Sequence, residues 1–131
     1  MIQNCILIVD SELVVRQPLA EYLRECGYKV FEATGTDEAI AILTDGSLRV
    51  DVVLSDVNSP GQFDGFGLAH WVRSQGLAAK VILAGTVAKA AEKAADLCES
   101  GPILAKPYHH QTLHDRIKSL LAERDRNAPK T

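Results

Sequence analysis

Three side chains that could do chemistry together stand where apolar runs of the sequence end. They are two carboxylates, Asp10 and Asp56, and one ammonium, Lys106. Two carboxylates held a few ångströms apart repel each other unless a cation lies between them, and oxygen ligands of this kind suit Mg²⁺. One carboxylate could then act as a nucleophile toward a phosphoryl group, while the metal and the ammonium neutralise the phosphoryl oxygens.

Each of these residues also has an ordinary structural interpretation when it is taken alone. An aspartate after a strand is about as often the N-cap of a helix as a ligand, and Lys106 before a proline could simply form a turn. The chemical interpretation therefore depends on whether the fold brings all three side chains to one place.

The elements that would position them follow from an alternation along the chain. Short apolar runs alternate with stretches of helical spacing, which is typical of a parallel sheet with crossover helices. Ligands of open α/β sheets collect beyond the carboxyl ends of the strands, so we predict that the three residues share one edge. The predicted strands are residues 5–9, 28–33, 50–54, 81–84 and 103–105.

Capping and stop residues indicate where the five predicted helices begin and end. Thr36 stands where an N-cap would open the second helix, and Ser11 could cap the first. Gly27 and Gly76 are placed to end the first and third helices. The fourth predicted helix, residues 87–101, has mainly alanines to bury, so we expect it to be the least firmly anchored.

Length and composition indicate a single globular domain. A chain of 131 residues can bury one core without metal or disulfide bonds, and 47% apolar with 24% charged residues is average for globular proteins. We expect one domain over residues 1–124 and a polar tail over residues 125–131. The three dispersed cysteines form no CxxC pair and are interpreted as reduced core thiols.

Charge and hydropathy argue against several classes of function. A formal net charge of -3 lacks the basic excess that binding to a phosphate backbone requires, so we expect no direct contact with nucleic acid. No apolar run approaches the roughly 20 residues of a membrane span, and the first residues lack the pattern of a signal peptide. We therefore expect a cytoplasmic protein with no membrane segment.

The motifs around the three residues make the chain resemble the receiver domain of two-component response regulators. The resemblance covers roughly residues 4–122 and rests on ILIVDSE (6–12), DVVLSDVNSPG (51–61) with DG at 64–65, and ILAKPY (103–108). It implies a doubly wound, flavodoxin-like α/β fold, with a five-stranded parallel sheet of strand order 2-1-3-4-5 and five helices.

The resemblance also implies a role for each residue of the site. Asp56 would be the phosphoacceptor, taking its phosphoryl group from a histidine kinase or a histidine phosphotransfer protein, and Lys106 would pair with the phosphoryl oxygens. Asp10, Asp56 and the backbone carbonyl of Asn58 would bind Mg²⁺. The bond between Lys106 and Pro107 is expected to be cis, a form that is cheap only before proline.

Two departures from the family pattern affect the site directly. Ser11 stands where the family has a second acid, which removes on the order of 4 kcal/mol of gross attraction per unit-charge pair at about 4 Å and an effective dielectric of about 20, before rehydration offsets much of it. Ser11 would then be a weak ligand or act through water, and Glu12 is not counted as a replacement because glutamate is common there beside an intact pair. Gly85 stands where the family has Thr or Ser, and Thr86 could substitute if the backbone shifts.

Two further departures concern the surroundings of the site. Ile103 occupies the position of the family's aromatic switch residue, so a Tyr or Phe rotamer cannot report the phosphorylated state. The loop over residues 60–65 is one residue longer than usual, which raises the question of how Asp56 is approached.

The leading hypothesis is a receiver that is not an enzyme, binds Mg²⁺ weakly and signals to a downstream protein. The family resemblance assigns that contact to the fourth helix, the fifth strand and the fifth helix. Met1 directly before the first strand favours an independent protein, although a piece of a hybrid kinase remains an alternative. Two other hypotheses are a degenerate receiver that binds its partner without phosphorylation, and a domain that serves chiefly to form a homodimer.

Overall fold

The computed structural model describes residues 3–85 and 104–127, in which five strands alternate with helices. The strands are β1 (Cys5–Val9), β2 (Lys29–Ala33), β3 (Val52–Asp56), β4 (Lys80–Gly85) and β5 (Leu104–Ala105). The helices are α1 (Leu13–Glu25), α2 (Thr36–Thr44), α3 (Gly65–Ser74) and α4 (His110–Asn127). The fourth predicted helix (residues 87–101), Thr86 and Ile103 lie outside the described residues. The label α4 therefore denotes the last helix, which is the fifth of the predicted helices.

The five strands form one parallel sheet in the order β2-β1-β3-β4-β5, which confirms the predicted fold. All five residues of β1 and the first four of β3 are buried, as expected for central strands with helices on both faces. The register pairs Val9 with Ser55 and Asp56 with Ala84, so the carboxyl ends of β1, β3 and β4 lie side by side.

Alternation of side chains along the strands divides the core into two layers. Ile6 and Ile8 of β1 face a layer that includes Leu19 of α1 and Ile117 of α4. Leu7 faces the other layer, which α2 and α3 cover. The apolar residues that recur at helical spacing in the last helix are all buried, namely Leu113, Ile117, Leu120 and Leu121.

The predicted helix stops are confirmed, but both predicted caps are wrong. Gly27 and Gly76 follow α1 and α3 with φ of 101° and 67°, a region in which glycine is the favoured residue. Thr36 is the first residue of α2, after Gly35 at the N-cap, and its hydroxyl instead donates to the carbonyl of Phe63 at 2.6 Å. The N-cap position of α1 is Glu12 rather than Ser11, and no side chain caps that helix.

Two smaller expectations also need correction. The third strand lies two residues further along the chain than residues 50–54, so Asp56 is its last residue instead of following it. Cys5 is a buried thiol as expected, whereas Cys26 is exposed and is not part of the core. None of the helices in the described ranges is long and apolar enough to cross a membrane.

A buried carboxylate, that of Asp51, connects several elements at the opposite edge of the sheet, where the strands begin. Asp51 accepts hydrogen bonds from the backbone N–H of Cys5 at 2.8 Å and from Arg124 Nη1 at 2.6 Å. Arg49 Nε adds a third contact at 3.1 Å from the surface. Because Arg124 belongs to α4, one side chain joins β1, the start of β3 and the last helix, which continues to Asn127.

Candidate functional site

The three residues predicted to meet at one edge of the sheet are in direct contact. Asp10 directly follows β1, Asp56 ends β3 and Lys106 directly follows β5. Lys106 Nζ lies 2.8 Å from Asp56 Oδ2 and 3.1 Å from Asp10 Oδ2. The side chains of Asp10 and Asp56 are 7% and 16% exposed, so one ammonium bridges two carboxylates that are largely shielded from water and the trio keeps a net charge of -1.

The second oxygen of each aspartate is held by a backbone N–H. Glu12 N donates to Asp10 Oδ1 at 2.9 Å, and Asn58 N donates to Asp56 Oδ1 at 3.0 Å. The expected cis bond between Lys106 and Pro107 is present, and Lys106 N donates to the carbonyl of Gly85 at 2.7 Å. Hydrogen bonds within the protein thus orient all four carboxylate oxygens of Asp10 and Asp56 and the ammonium of Lys106.

Arg16 fixes the backbone that carries Asp10, and sequence reasoning missed it. Its side chain is 11% exposed; Nη1 donates to the Asp10 carbonyl at 2.7 Å and Nε to Glu32 Oε1 at 3.1 Å. Arg16 stands three and four residues before the buried Leu19 and Ala20, so it lies on the buried face of α1. A basic residue on an apolar face was the available signal.

Ser59 performs a similar task for Asp56 and was also missed. Its hydroxyl is buried and donates to the Asp56 carbonyl at 2.8 Å, with the Val9 carbonyl at 3.4 Å and Ser55 Oγ at 3.3 Å. The contacts of Ser59 with the Asp56 and Val9 carbonyls hold the turn after β3 against the end of β1. A serine beside a proline is so typical of an ordinary turn that its sequence carries no signal of this role.

The loop over residues 60–65 after Asp56 packs against the start of α2. Thr36 N donates to the Pro60 carbonyl at 2.8 Å, and Gln62 N donates to Asp37 Oδ1 at 3.1 Å. Asp64 then caps α3, because its Oδ1 accepts a hydrogen bond from Gly67 N at 2.8 Å. The bonds of Thr36 and Gln62 hold the loop on the α2 side of the site.

A third acid joins the two aspartates. The carboxylate oxygens of Asp10, Glu12 and Asp56 lie within 4.8 Å of one another. Hard oxygen donors of this kind fit Mg²⁺. Asn58, whose backbone carbonyl is the other predicted ligand, is adjacent, because its N–H donates to Asp56. Ser11 is exposed beside them. The donor set therefore suits a divalent cation, and it includes a glutamate that sequence reasoning set aside.

Gly85 has no room for a side chain. A Cβ built there would lie 2.6 Å from Cγ2 and 3.3 Å from Cγ1 of Val57, the residue that follows Asp56. Both residues are buried. The isopropyl group of Val57 thus fills the volume that a Thr or Ser side chain would need, while Thr86, the predicted substitute, lies outside the described residues.

Burial and charge shift the pKa of two groups near the site. Burial raises the pKa of Tyr108 to about 12, against the opposing effect of the Lys106 ammonium. For Lys106, burial lowers the pKa, but the hydrogen bonds and charges of Asp56 and Asp10 outweigh it, so its pKa is raised. The ammonium is therefore charged at neutral pH.

The raised pKa of Tyr108 predicts a loss of stability in alkali. Between about pH 10, where an unfolded tyrosine titrates, and pH 12, the unfolded chain binds fewer protons than the folded one. The free energy of unfolding then falls by about 1.4 kcal/mol for each step of one pH unit across that interval. Urea denaturation at pH 9 and pH 11 should show a smaller loss in Tyr108→Phe than in the wild type; equal losses would contradict this expectation.

Comparison with known proteins gives one consistent family. The profile described as "Response regulator receiver domain" matches residues 6–118. The sensor histidine kinase RcsC of Escherichia coli K12 is 36% identical over 126 residues, which are 94% of this chain and 13% of that protein. The aerobic respiration control protein ArcA of the same strain is 32% identical over 117 residues, 89% of this chain and 48% of ArcA. The chain thus spans less than half of these curated relatives.

A solved structure supports the same assignment. The response regulator protein TrrA of Thermotoga maritima, determined in complex with Mg²⁺-BeF, is 27% identical and superimposes with a TM-score of 0.77. The match covers 90% of this chain and 99% of that one.

Proposed function

Because this chain belongs to the response regulator receiver domain family, we propose that it carries a phosphoryl group on Asp56 in two-component signalling. The observation that supports this most strongly is the contact of Asp56 with Lys106 at 2.8 Å, beside the second acid Asp10. The donor would be the phosphohistidine of a histidine kinase or of a histidine phosphotransfer protein.

The chemistry asked of the site is an in-line transfer to a carboxylate oxygen. An oxygen of Asp56 forms a bond to phosphorus, the bond between phosphorus and the donor imidazole nitrogen breaks, and its electron pair stays with the imidazole. Lys106 already points its ammonium at Asp56, so it can follow the charge onto a phosphoryl oxygen. The N–H of Asn58 keeps the carboxylate oriented during this step.

Magnesium would be held by Asp10, Asp56 and the backbone carbonyl of Asn58, with Ser11 as a weak ligand or one that acts through water. When bound, Mg²⁺ supplies positive charge to the phosphoryl oxygens. Because a serine replaces one acid of the usual pair, we expect Mg²⁺ to bind weakly.

The proposed output is a protein interaction rather than catalysis of a further reaction. The face formed by the fourth predicted helix, β5 and α4 would carry it to a downstream protein or a second copy of this chain. On the donor side, Leu13 and Val14 at the start of α1 are 54% and 80% exposed, which suits an apolar contact next to Asp10. We place this signalling in the cytoplasm, without contact to nucleic acid or membrane.

One specific observation favours a second candidate, the degenerate receiver that binds a partner without phosphorylation. Gly85 offers no side-chain hydroxyl to a phosphoryl oxygen where the family has Thr or Ser, and Val57 fills the space that such a side chain would occupy. Such a domain would keep the fold and its binding surfaces while phosphorylation plays no part.

Acetyl phosphate with Mg²⁺, followed by intact mass measurement, separates the two candidates. The phosphoacceptor predicts an adduct of one phosphoryl group that disappears in Asp56→Asn. It should persist in the matched control Asp115→Asn, since that acid is exposed on α4, away from the site. A folded protein that gains no adduct at saturating Mg²⁺ would favour the degenerate receiver.

A further inference from the structure

We propose that Glu12 supplies the second acidic group of the metal site, in place of the acid that Ser11 lacks. This inference rests on the Mg²⁺ part of the proposed function. It assigns to Glu12 a role that its position in the sequence does not suggest, because it lies one residue beyond the family's acidic pair.

The geometry places the Glu12 carboxylate within reach of a shared cation. Its oxygen lies within 4.8 Å of the oxygens of Asp10 and Asp56. Two oxygens on one octahedral Mg²⁺ are about 2.9 Å apart when they are adjacent and about 4.2 Å apart when they are opposite, because each Mg–O distance is 2.0–2.1 Å. Pairs that become adjacent must therefore approach by up to about 1.9 Å, a movement that rotation of the exposed Glu12 side chain can supply.

The backbone of Glu12 is already part of the site. Its N–H donates to Asp10 Oδ1 at 2.9 Å, which fixes where the Glu12 side chain begins relative to Asp10. Although Glu12 is the N-cap residue of α1, its carboxylate makes no capping hydrogen bond. Within residues 3–85 and 104–127, no ion pair holds this carboxylate either, so it is available to a ligand.

The charge of the site supports the same assignment. Asp10 and Asp56 with Lys106 alone carry a net charge of -1, which leaves a divalent cation incompletely neutralised. With Glu12 the three acids and one ammonium carry -2, which equals the charge of one Mg²⁺ in magnitude. The hydroxyl of Ser11 cannot supply this charge.

Magnesium titration by calorimetry on the full chain tests the inference without phosphorylation. Glu12→Gln should weaken Mg²⁺ binding by at least about tenfold, since even residues behind the ligands change metal affinity by 10–100-fold. The matched control Glu21→Gln removes the same charge from an exposed site two turns along α1 and should bind Mg²⁺ like the wild type. Glu12→Asp keeps the charge but shortens the side chain, so an intermediate affinity separates coordination from distant attraction.

A double variant gives an independent test. Ser11→Asp restores the family's usual acid, so it should raise Mg²⁺ affinity more in the Glu12→Gln background than in the wild type. Equal affinity in Glu12→Gln and Glu21→Gln, additive effects in the double variant, or a wild type that binds no Mg²⁺ would each overturn the inference. Weaker binding in Glu12→Gln together with no phosphoryl adduct would instead support Glu12 and contradict the phosphoacceptor function.

Discussion

Asp51→Ala is expected to lower the free energy of unfolding by about 3 kcal/mol, the lower end of the range for removing one partner of a buried ion pair. The side chain of Asp51 is 3% exposed and holds both Arg124 of α4 and the N–H of Cys5. Its loss leaves a buried N–H without an acceptor, which alone costs about 1–3 kcal/mol. Arg124 is 23% exposed and can turn partly toward water, so the upper end is not reached.

Arg49→Ala is the matched control for this prediction. Arg49 contacts the same carboxylate at 3.1 Å, but its side chain is 64% exposed. Exposed ion pairs contribute about 0–1 kcal/mol, so urea denaturation should show a small effect for Arg49→Ala and a large one for Asp51→Ala. Similar losses in the free energy of unfolding for both variants would show that the buried contacts of Asp51 do not anchor α4.

Gly85→Thr is expected to destabilise the protein by about 1–3 kcal/mol, although it restores the residue type that the family carries there. The new Cβ would meet Val57 Cγ2 at 2.6 Å, and both residues are buried, Gly85 at the end of β4 and Val57 directly after β3. Overpacking of this kind forces side chains off their rotamers or shifts the backbone. The absence of a side-chain hydroxyl at position 85 is therefore tied to the bulk of Val57, the residue that follows Asp56.

Val57→Ala provides the test of that coupling. Alone it removes buried methyl groups and should destabilise, but combined with Gly85→Thr it opens the required volume. The double variant should be more stable than the sum of the two single effects by about 0.5–3 kcal/mol, the range seen for residues in contact. Strict additivity in urea denaturation would mean that Val57 does not block position 85.

The parts of the fold that repeat along the chain were predictable from sequence. The continuous apolar run of β1 and the spacing of Leu113 and Ile117 in α4 report burial directly, because a strand covered on both faces is apolar throughout and every third to fourth side chain of a helix faces the core. The meeting of Asp10, Asp56 and Lys106 followed from one rule, that parallel strands end at one edge.

The parts that depend on single hydrogen bonds across the fold were not predictable. Arg16 binding the Asp10 carbonyl and Ser59 binding the Asp56 carbonyl leave no periodic signal. The helix caps were misplaced by one residue because Ser11 and Thr36 are good caps by type, whereas backbone direction at Glu12 and Gly35 decides the position. Glu12 was set aside on sequence grounds, because its proximity to Asp10 and Asp56 depends on side-chain geometry.

Chemical mapping of the phosphorylated residue tests directly whether Asp56 accepts the phosphoryl group. After acetyl phosphate treatment with Mg²⁺, borohydride reduces an aspartyl phosphate to homoserine, and peptide mass spectrometry locates the change. If Asp56 is the phosphoacceptor, homoserine is expected at position 56 in the wild type and an unchanged residue there when Mg²⁺ is removed by chelation. Homoserine at position 10, or an unmodified Asp56 in a protein that binds Mg²⁺, would contradict this assignment.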